Sequence, residues 1–160
     1  MLKMLKLNNI SAIGIDTKTE KFNTCNENGA EFSVSPMEND LKNKIADFSK
    51  SNDLDVVIDF VSSKSSLELG CSILGKGGRL VTLGGSGEQF LANSADMLVK
   101  ELELIGSRYC TKQELKESLD LYARGLVEPL VSVKTDFDGA EALHNKIEKG
   151  EIIGRAGILI

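Results

Sequence analysis

The chain has 160 residues, of which 41% are hydrophobic and 27% charged, so its length suits one ordinary domain core. Its net charge of -5 argues against a nucleic-acid partner, because such binding requires Lys and Arg to neutralise phosphates. No segment approaches the roughly 20 apolar residues of a membrane span, and Met1 to Leu7 is too short for a signal peptide, so we expect a cytoplasmic protein with no membrane partner.

Short apolar runs alternate with segments of helical spacing along the chain, a pattern typical of strand–helix units in a mostly parallel sheet. The runs are continuous more than alternating, which predicts strands buried on both faces. The predicted strands are Ile10 to Ile15, Phe32 to Ser35, Val56 to Phe60, Arg79 to Leu83, Leu102 to Gly106, Leu130 to Val133 and Ala156 to Ile160.

Four helices are predicted between these strands from capping residues and shared apolar faces. Ser35-Pro36 is the predicted start of the first helix, since proline is favoured at the first helical position. Capping boxes predict two later starts, Thr111 with Glu114 and Asp138 with Glu141. Gly125 and Gly150 are the predicted ends of those two helices. The apolar faces are Leu41, Ile45 and Phe48; Leu67, Cys71 and Leu74; and Leu115, Leu119 and Tyr122.

Asp16 stands at the end of the first predicted strand, five residues before Lys21. An acid at this position of a dinucleotide-binding fold accepts hydrogen bonds from the adenosine ribose, and a nearby Lys can add a contact. Asp16 could instead cap a helix beginning at Thr17, and both interpretations stay open. A glycine-rich phosphate loop should precede such an acid by roughly 20 residues. Gly14 is the one glycine before Asp16, so we expect that loop and its strand to be missing.

Two glycine-rich segments have different interpretations. Gly70 to Gly77 nearly matches the phosphate loop of nucleotide triphosphatases, but Gly77 replaces the metal-binding Ser or Thr and Gly70 lies in a helical pattern, so we reject the match. The run Gly84-Gly85-Ser86-Gly87 follows a predicted strand. Its backbone could approach a cofactor there, or it could form an ordinary turn.

No catalytic residue and no metal ligand set is predicted. Cys25, Cys71 and Cys110 lie far apart without a Cys-x-x-Cys pair, so we expect reduced, partly buried thiols in place of a disulfide framework or zinc site. His144 falls on the charged side of a predicted helix, where a solvated histidine is expected.

Six segments, taken in this order and spacing, resemble the medium-chain, zinc-type alcohol dehydrogenase family, and they cover that family's C-terminal half only. They are Ile13-Gly-Ile-Asp16, Asn28-Gly-Ala30, Asp55 to Val61, Gly77 to Gly85, Glu101 to Ser107 and Gly154-Arg155. The resemblance implies an α/β fold: a Rossmann-like, doubly wound parallel sheet of order 3-2-1-4-5-6, truncated by loss of the first strand and loop. Residues 1–127 would be a partial dinucleotide-binding domain, and residues 128–160 a segment that in the family returns to the catalytic domain.

The resemblance also implies cofactor contacts. It places Asp16 and Lys21 at the adenosine ribose, Phe60, Val61 and Ser62 beside adenine and ribose, Leu83, Gly84 and Gly85 near the nicotinamide, and Arg155 toward the pyrophosphate. The acid at position 16 favours NAD over NADP, because it would repel the 2′-phosphate. The zinc ligands and substrate pocket of the family belong to the half that this sequence lacks. NAD binding is expected to be weak or lost, because the strand and glycine-rich loop that hold the pyrophosphate in the family are missing.

The leading hypothesis is a truncated NAD-dependent oxidoreductase that is inactive alone and catalytic only with a separate N-terminal half. A non-catalytic nucleotide-binding or assembly subunit is a second hypothesis. A third is an S-adenosylmethionine-dependent methyltransferase, since Asp55 to Phe60 also suits that fold, although the closing Gly154 to Ile160 favours the dehydrogenase. Leu102 to Gly106 resembles the edge strand through which the family pairs, which predicts a homodimer.

Overall fold

The computed structural model describes residues 1–50 and 54–160. Strands and helices alternate through these residues as α/β units, and each of the seven predicted strands overlaps a strand of the structure. In chain order the elements are α1 (Leu2–Leu7), β1 (Gly14–Ile15), a 3₁₀ helix (Thr19–Lys21), α2 (Phe22–Glu27), β2 (Ser33–Val34), α3 (Leu41–Ser49), β3 (Leu54–Asp59), α4 (Lys64–Ile73), β4 (Leu74–Thr82), α5 (Ser94–Lys100), β5 (Glu103–Gly106), α6 (Lys112–Ala123), β6 (Val131–Thr135), α7 (Ala140–Glu148) and β7 (Arg155–Ile158).

The strands form a pair, a triple and a second pair. β1 pairs with β2, while β3, β4 and β5 form a sheet in that order, and β6 pairs with β7. The pairings of β3 with β4, β4 with β5 and β6 with β7 are parallel. A doubly wound order of 3-2-1-4-5-6 without its first strand would also give a pair and a triple. The truncated Rossmann-like fold is therefore confirmed.

The chain forms two compact units. The central unit comprises residues 15–19 and 34–110, and the terminal unit comprises residues 1–14, 20–33 and 111–160. The predicted boundary at residues 127 and 128 concerns correspondence with the domains of a longer enzyme, so it stays a prediction.

The core of the central unit lies where α4 packs on β4. Leu67, Leu74 and Leu80 form a buried cluster there. Gly70 permits this packing, because a Cβ at that position would lie 2.8 Å from Cδ1 of Leu80. Gly70 therefore lies inside a helix against the sheet, which agrees with rejecting the phosphate-loop match.

Three details of the predicted helices are wrong. α3 begins at Leu41, and the Oγ of Ser35 instead accepts a hydrogen bond from the N–H of Met37 at 3.2 Å in a turn. Asp138 does not cap α7, because Asp136 Oδ1 accepts the N–H of Gly139 at 3.1 Å. Leu74 is extended and begins β4, so it does not continue the face of α4.

The predicted capping residues at the start and end of α6 are confirmed. The Oγ1 of Thr111 accepts from the N–H of Glu114 at 3.2 Å, and Glu114 Oε2 accepts from the N–H of Thr111 at 2.6 Å. These hydrogen bonds, the backbone one first, hold the pKa of Glu114 below its usual value. Gly125 and Gly150 follow α6 and α7 with φ values of 69° and 65°, the left-handed conformation that ends many helices.

Burial departs from the prediction in several strands and at one thiol. Val56 of β3, Val131 of β6 and Ile158 of β7 are 46%, 38% and 44% exposed. All four residues of β5 are exposed, so this strand is not covered on both faces. The three thiols are free as predicted, but Cys110 is exposed, whereas burial raises the pKa of the Cys71 thiol. Within the described ranges, the helices are too short or too polar to cross a bilayer.

Candidate functional site

The carboxyl ends of β3 and β4 bring two predicted site segments together. Asp59 and Thr82 are partners at the end of the parallel pairing, and the N–H of Leu83 donates to the carbonyl of Asp59 at 2.8 Å. The segment at residues 60–62, here called the β3 turn, therefore lies beside the segment at residues 83–93, here called the β4 loop. In open α/β sheets this edge is where ligands bind.

A buried carboxylate fixes the β3 turn. Asp59 is 7% exposed, and its Oδ1 accepts the backbone N–H groups of Val61 at 2.8 Å and Ser62 at 2.9 Å. Its Oδ2 accepts the hydroxyl of Ser66, in the first turn of α4, at 2.7 Å. Ser62 is held with a φ of 56°, which side-chain-bearing residues rarely adopt. One side chain thus accepts two backbone N–H groups of the turn.

Gly84 is where the β4 loop crosses the β3 turn. A Cβ at Gly84 would lie 2.6 Å from the carbonyl oxygen of Val61 and 2.8 Å from that of Phe60. Backbone atoms cannot move aside as side-chain ends can, so only glycine fits. A Cβ at Gly85 would meet nothing within 4 Å. The close approach made by Gly84 is therefore to the chain's own backbone, and Gly85 is the glycine with open space.

Hydrogen bonds hold the β4 loop against the start of α4. The hydroxyls of Ser62 and Thr82 share a hydrogen bond, and Ser86 Oγ donates to the carbonyl of Ser62. Glu88 Oε2 accepts the N–H of Lys64, the first residue of α4, at 2.7 Å. The two segments therefore form one hydrogen-bonded edge.

Three exposed apolar side chains stand where the two segments meet, and Leu91, later in the β4 loop, is 79% exposed. Phe60 is 58% exposed, Val61 65% and Leu83 40%. Exposed apolar groups beside open backbone suit a planar ring, which needs apolar contact on its face and a few polar groups at its rim. The two acids of this edge, Asp59 and Glu88, accept hydrogen bonds from the chain's own backbone.

Asp16 follows β1 and lies in the central unit. Its N–H donates to the carbonyl of Val34 at 3.2 Å, which continues the β1–β2 pairing, and its Oδ1 accepts the N–H of Lys18 at 2.9 Å. Asp16 therefore stabilises the turn before the 3₁₀ helix, which begins at Thr19 and not at Thr17 as its capping interpretation had it. The ribose interpretation of Asp16 stays a prediction.

The other two predicted cofactor residues belong to the terminal unit. Lys21 ends the 3₁₀ helix, and Arg155 begins β7 with its N–H donating to the carbonyl of Leu130 at 2.7 Å. Gly154, with a φ of 90°, allows this approach, because a Cβ there would lie 2.5 Å from the same carbonyl.

The site is an open edge and not a cavity. A cavity of about 420 Å³ in the terminal unit is lined by Lys6, Asn9, Ile10, Ser11, Asn26, Gly29, Ala30 and Glu31. A groove of about 180 Å³ in the central unit is lined by Leu67, Leu80, Thr82, Phe90, Leu104, Ile105 and Gly106. Neither contains a predicted site residue.

A catalytic zinc does not fit the residues present. Outside positions 51–53, no group of three or more His, Cys, Asp and Glu side chains is placed to hold a metal ion. His144 is exposed on α7, as expected. A catalytic zinc site needs three protein ligands.

Asp59 was missed as a site residue by sequence reasoning. It was noted only within the segment from Asp55 to Val61. The available signal was its position: an acid that directly follows the apolar run Val56-Val57-Ile58 and precedes the residues expected at the edge.

Comparison with known proteins gives a consistent result. A family described as "Zinc-binding dehydrogenase" matches residues 1–124. An alcohol dehydrogenase of Geobacillus stearothermophilus is 24% identical over 154 residues, which are 96% of this chain and 44% of that protein. An NAD-dependent alcohol dehydrogenase of Sulfurisphaera tokodaii is 23% identical over 143 residues, 89% of this chain and 41% of that protein. The crystal structure of the alcohol dehydrogenase from the archaeon Aeropyrum pernix superposes with a TM-score of 0.86 at 26% identity, covering 97% of this chain and 44% of that one. The chain thus spans less than half the length of these relatives.

Proposed function

The chain belongs to the zinc-binding dehydrogenase family, and we propose that it forms the dinucleotide-binding part of an NAD-dependent oxidoreductase. The observation that carries the proposal is the hydrogen-bonded edge, where Gly84 crosses the β3 turn and leaves Phe60 and Val61 exposed. The proposal also draws on the NAD dependence in the name of the Sulfurisphaera tokodaii relative.

We assign each residue of the site a binding role. Phe60, Val61 and Ser62 would contact adenine and ribose, and the carboxylate of Asp16 would accept hydrogen bonds from ribose hydroxyls. That negative charge favours NAD, because it would repel a 2′-phosphate. Bound NAD would supply the hydride acceptor of the reaction.

The remaining roles are those that the family resemblance implies. Leu83, Gly84 and Gly85 would lie near the nicotinamide. The positive charges of Lys21 and Arg155 would contact the ribose and the pyrophosphate, respectively.

Calorimetric titration of the 160-residue chain with NAD⁺ tests this assignment. We expect a dissociation constant in the micromolar range or weaker, because the helix terminus and glycine loop that bind pyrophosphate in such folds are not among these residues. Asp16→Ala should weaken binding roughly tenfold further, and Asp47→Ala, an exposed acid on α3, should not. Nanomolar affinity, or equal affinity for NADP⁺, would contradict the assignment.

We further propose that this polypeptide does not oxidise alcohols by itself. The described residues offer no ligand set for a zinc that would polarise an alcohol oxygen. Catalysis would then require a separate segment that carries those ligands. Zinc-dependent NADH production from alcohol by the purified chain would refute this proposal.

An open strand edge supports a complementing segment. β3 stands at the end of its sheet, and because the carbonyl of Asp59 faces β4, the backbone groups of Val56 and Ile58 face the other side. Val56 is 46% exposed, although strands of parallel sheets are ordinarily buried. We propose that a further parallel strand, supplied by another polypeptide segment, pairs here.

The opposite end of the sheet supports a homodimer. β5 pairs only with β4 among the described strands, and Leu104 and Ile105 are 40% and 38% exposed. An apolar unpaired edge favours pairing with a second copy. We also propose a cytoplasmic location, which the three free thiols support.

A non-catalytic nucleotide-binding subunit remains the second candidate function. It is favoured because the described residues contain no group of side chains that could hold a catalytic metal ion. The two candidates differ when the missing segment is supplied: co-expression with the N-terminal half of a related dehydrogenase should restore activity for the first candidate and leave nucleotide binding without turnover for the second.

A further inference from the structure

We propose that Asp59 is a positioning residue for nucleotide recognition. It holds the β3 turn in the conformation that presents Phe60 and Val61 to the adenine ring. This inference rests on the proposed function, but the hydrogen bonds that carry it are independent of any ligand.

The carboxylate of Asp59 is hydrogen-bonded within the protein. Asp59 is nearly buried, and both of its oxygens are engaged: Oδ1 by the N–H groups of Val61 and Ser62, and Oδ2 by the hydroxyl of Ser66. Burying a carboxylate costs free energy unless hydrogen bonds compensate it. An apolar residue could end β3 without that cost. The carboxylate of Asp59 is therefore needed to stabilise the β3 turn and not to form the strand.

These hydrogen bonds hold an unfavourable backbone conformation at Ser62. Ser62 has a φ of 56°, a left-handed conformation that is unfavourable for a residue with a side chain. Such conformations persist only where the surroundings over-determine them. Two N–H bonds to one carboxylate oxygen, one of them from Ser62 itself, provide that constraint.

The β3 turn leaves two apolar side chains exposed. Phe60 and Val61 are more than half exposed, although both are apolar. The carbonyl of Asp59 also accepts the N–H of Leu83 at 2.8 Å, so the same residue fixes the start of the β4 loop. Asp59 is itself nearly inaccessible, so it acts through the turn and not by touching the nucleotide.

The test is a titration of the full 160-residue chain with ADP-ribose, which carries the adenosine half of NAD, and separately with nicotinamide mononucleotide. Asp59→Ala should weaken ADP-ribose binding roughly tenfold, since hydrogen bonds to a charged group are lost. Asp59→Asn should recover most of that affinity, because its amide oxygen still accepts from both N–H groups. Any affinity for nicotinamide mononucleotide should be the same in all three proteins. Asp55→Ala, which removes an exposed acid of the same strand, is the control.

Amide hydrogen exchange provides a readout without ligand. The N–H groups of Val61 and Ser62 should exchange faster in Asp59→Ala, while exchange in β4 stays unchanged. If Asp59→Ala does not fold, the comparison passes to Asp59→Asn, whose neutral oxygen is a weaker acceptor and should also accelerate exchange at these two amides.

The outcomes separate this inference from the proposed function. A folded Asp59→Ala variant with unchanged affinity for ADP-ribose, or unchanged exchange at Val61 and Ser62, would overturn the role of Asp59. If the unmodified chain bound no nucleotide, the proposed function would fail, and the exchange data alone would decide whether Asp59 holds the turn.

Discussion

Regular helices and strands form both in the central unit and in the last fifty residues of the terminal unit. Their apolar side chains, however, are buried to very different extents. In the central unit, Leu67, Leu74 and Leu80 are 5%, 2% and 2% exposed. In α6, Leu115, Leu119 and Tyr122 share one helix face, yet they are 51%, 58% and 55% exposed. Among the described residues beyond 110, Leu143 is the one buried large apolar side chain.

The difference shows that local signals and burial contribute separately to this fold. α6 has a complete capping box and a glycine at its end, so short-range interactions define its bounds. They cannot cover its apolar face, which requires another layer of structure. α4 has both a capping box and a sheet to pack on.

Truncation of a core leucine should have the largest effect. Leu80→Ala removes buried atoms beside Leu67 and Gly70 and should lower the free energy of unfolding by about 3 kcal/mol. Leu119→Ala, the same change on the exposed face of α6, should cost well under about 1 kcal/mol. Urea unfolding followed by circular dichroism measures both. Equal costs would show that the face of α6 is covered in solution and would end the contrast.

The crossing of the two edge segments should be the next most sensitive feature. Gly84→Ala places a Cβ against the carbonyl oxygens of Val61 and Phe60, so the backbone must shift, at a cost of about 1–3 kcal/mol and with weaker ADP-ribose binding. Gly85→Ala meets nothing within 4 Å and should change neither quantity by much. Thermal unfolding and calorimetric titration of the pair provide the measurement. A harmless Gly84→Ala would mean that the two segments do not meet as described.

The exposed strand β5 allows a test of whether two copies of the chain associate through an uncovered edge. The N–H of Ser107 donates to the carbonyl of Thr82 at 2.9 Å, so Glu103 and Ile105 face β4, whereas the N–H of Leu104 faces the open edge. Leu104→Pro should therefore remove a donor needed by a second copy without breaking the pairing with β4.

Light scattering should show the unmodified chain as a dimer and Leu104→Pro as a monomer with unchanged circular dichroism. Leu104→Ala, which keeps the N–H, should still dimerise and is the matched control. A monomeric unmodified chain, or a proline variant that still dimerises, would contradict the edge-strand interface.

The sequence predicts the strands of this fold better than its helix boundaries. The continuous apolar run Val56-Val57-Ile58 locates β3, because strands of parallel sheets are ordinarily apolar on both faces. The start of α3 was misplaced because Ser35-Pro36 forms a turn and Asp40 precedes the helix without a side-chain cap. α5 was not predicted, although Asn93 Oδ1 accepts the N–H of Ala95 at 2.9 Å as a cap should.

The site could be predicted only as segments. The positions of Phe60 to Ser62 and Leu83 to Gly85 followed from the resemblance, and the structure brings these segments together. Sequence could not tell that Gly84 makes the close approach and Gly85 does not, because this depends on which carbonyls the loop crosses. Nor could it assign the buried carboxylate of Asp59, since an acid that ends a strand looks the same whether it faces solvent or the turn.

The smallest expected effect concerns the pH dependence of α6, and it tests whether local capping stabilises an exposed helix. Hydrogen bonds from the N–H and then the Oγ1 of Thr111 lower the pKa of Glu114 from its ordinary value of 4.5. Because the pKa in the folded state lies below that of the unfolded state, the stabilisation is present above the unfolded value. It is lost as the pH falls through the folded value.

Glu114→Gln should therefore destabilise the chain near neutral pH, and its difference from the unmodified chain should shrink below about pH 4. Thr111→Ala keeps the N–H bond, the larger cause, and should retain most of this pH dependence, whereas Thr111→Ser should retain all of it. Helicity and unfolding measured between pH 7 and pH 3 follow each variant. A difference between Glu114→Gln and the unmodified chain that did not change with pH would show that the capping box is not formed in solution, and α6 would then need the partner layer that its exposed leucines lack.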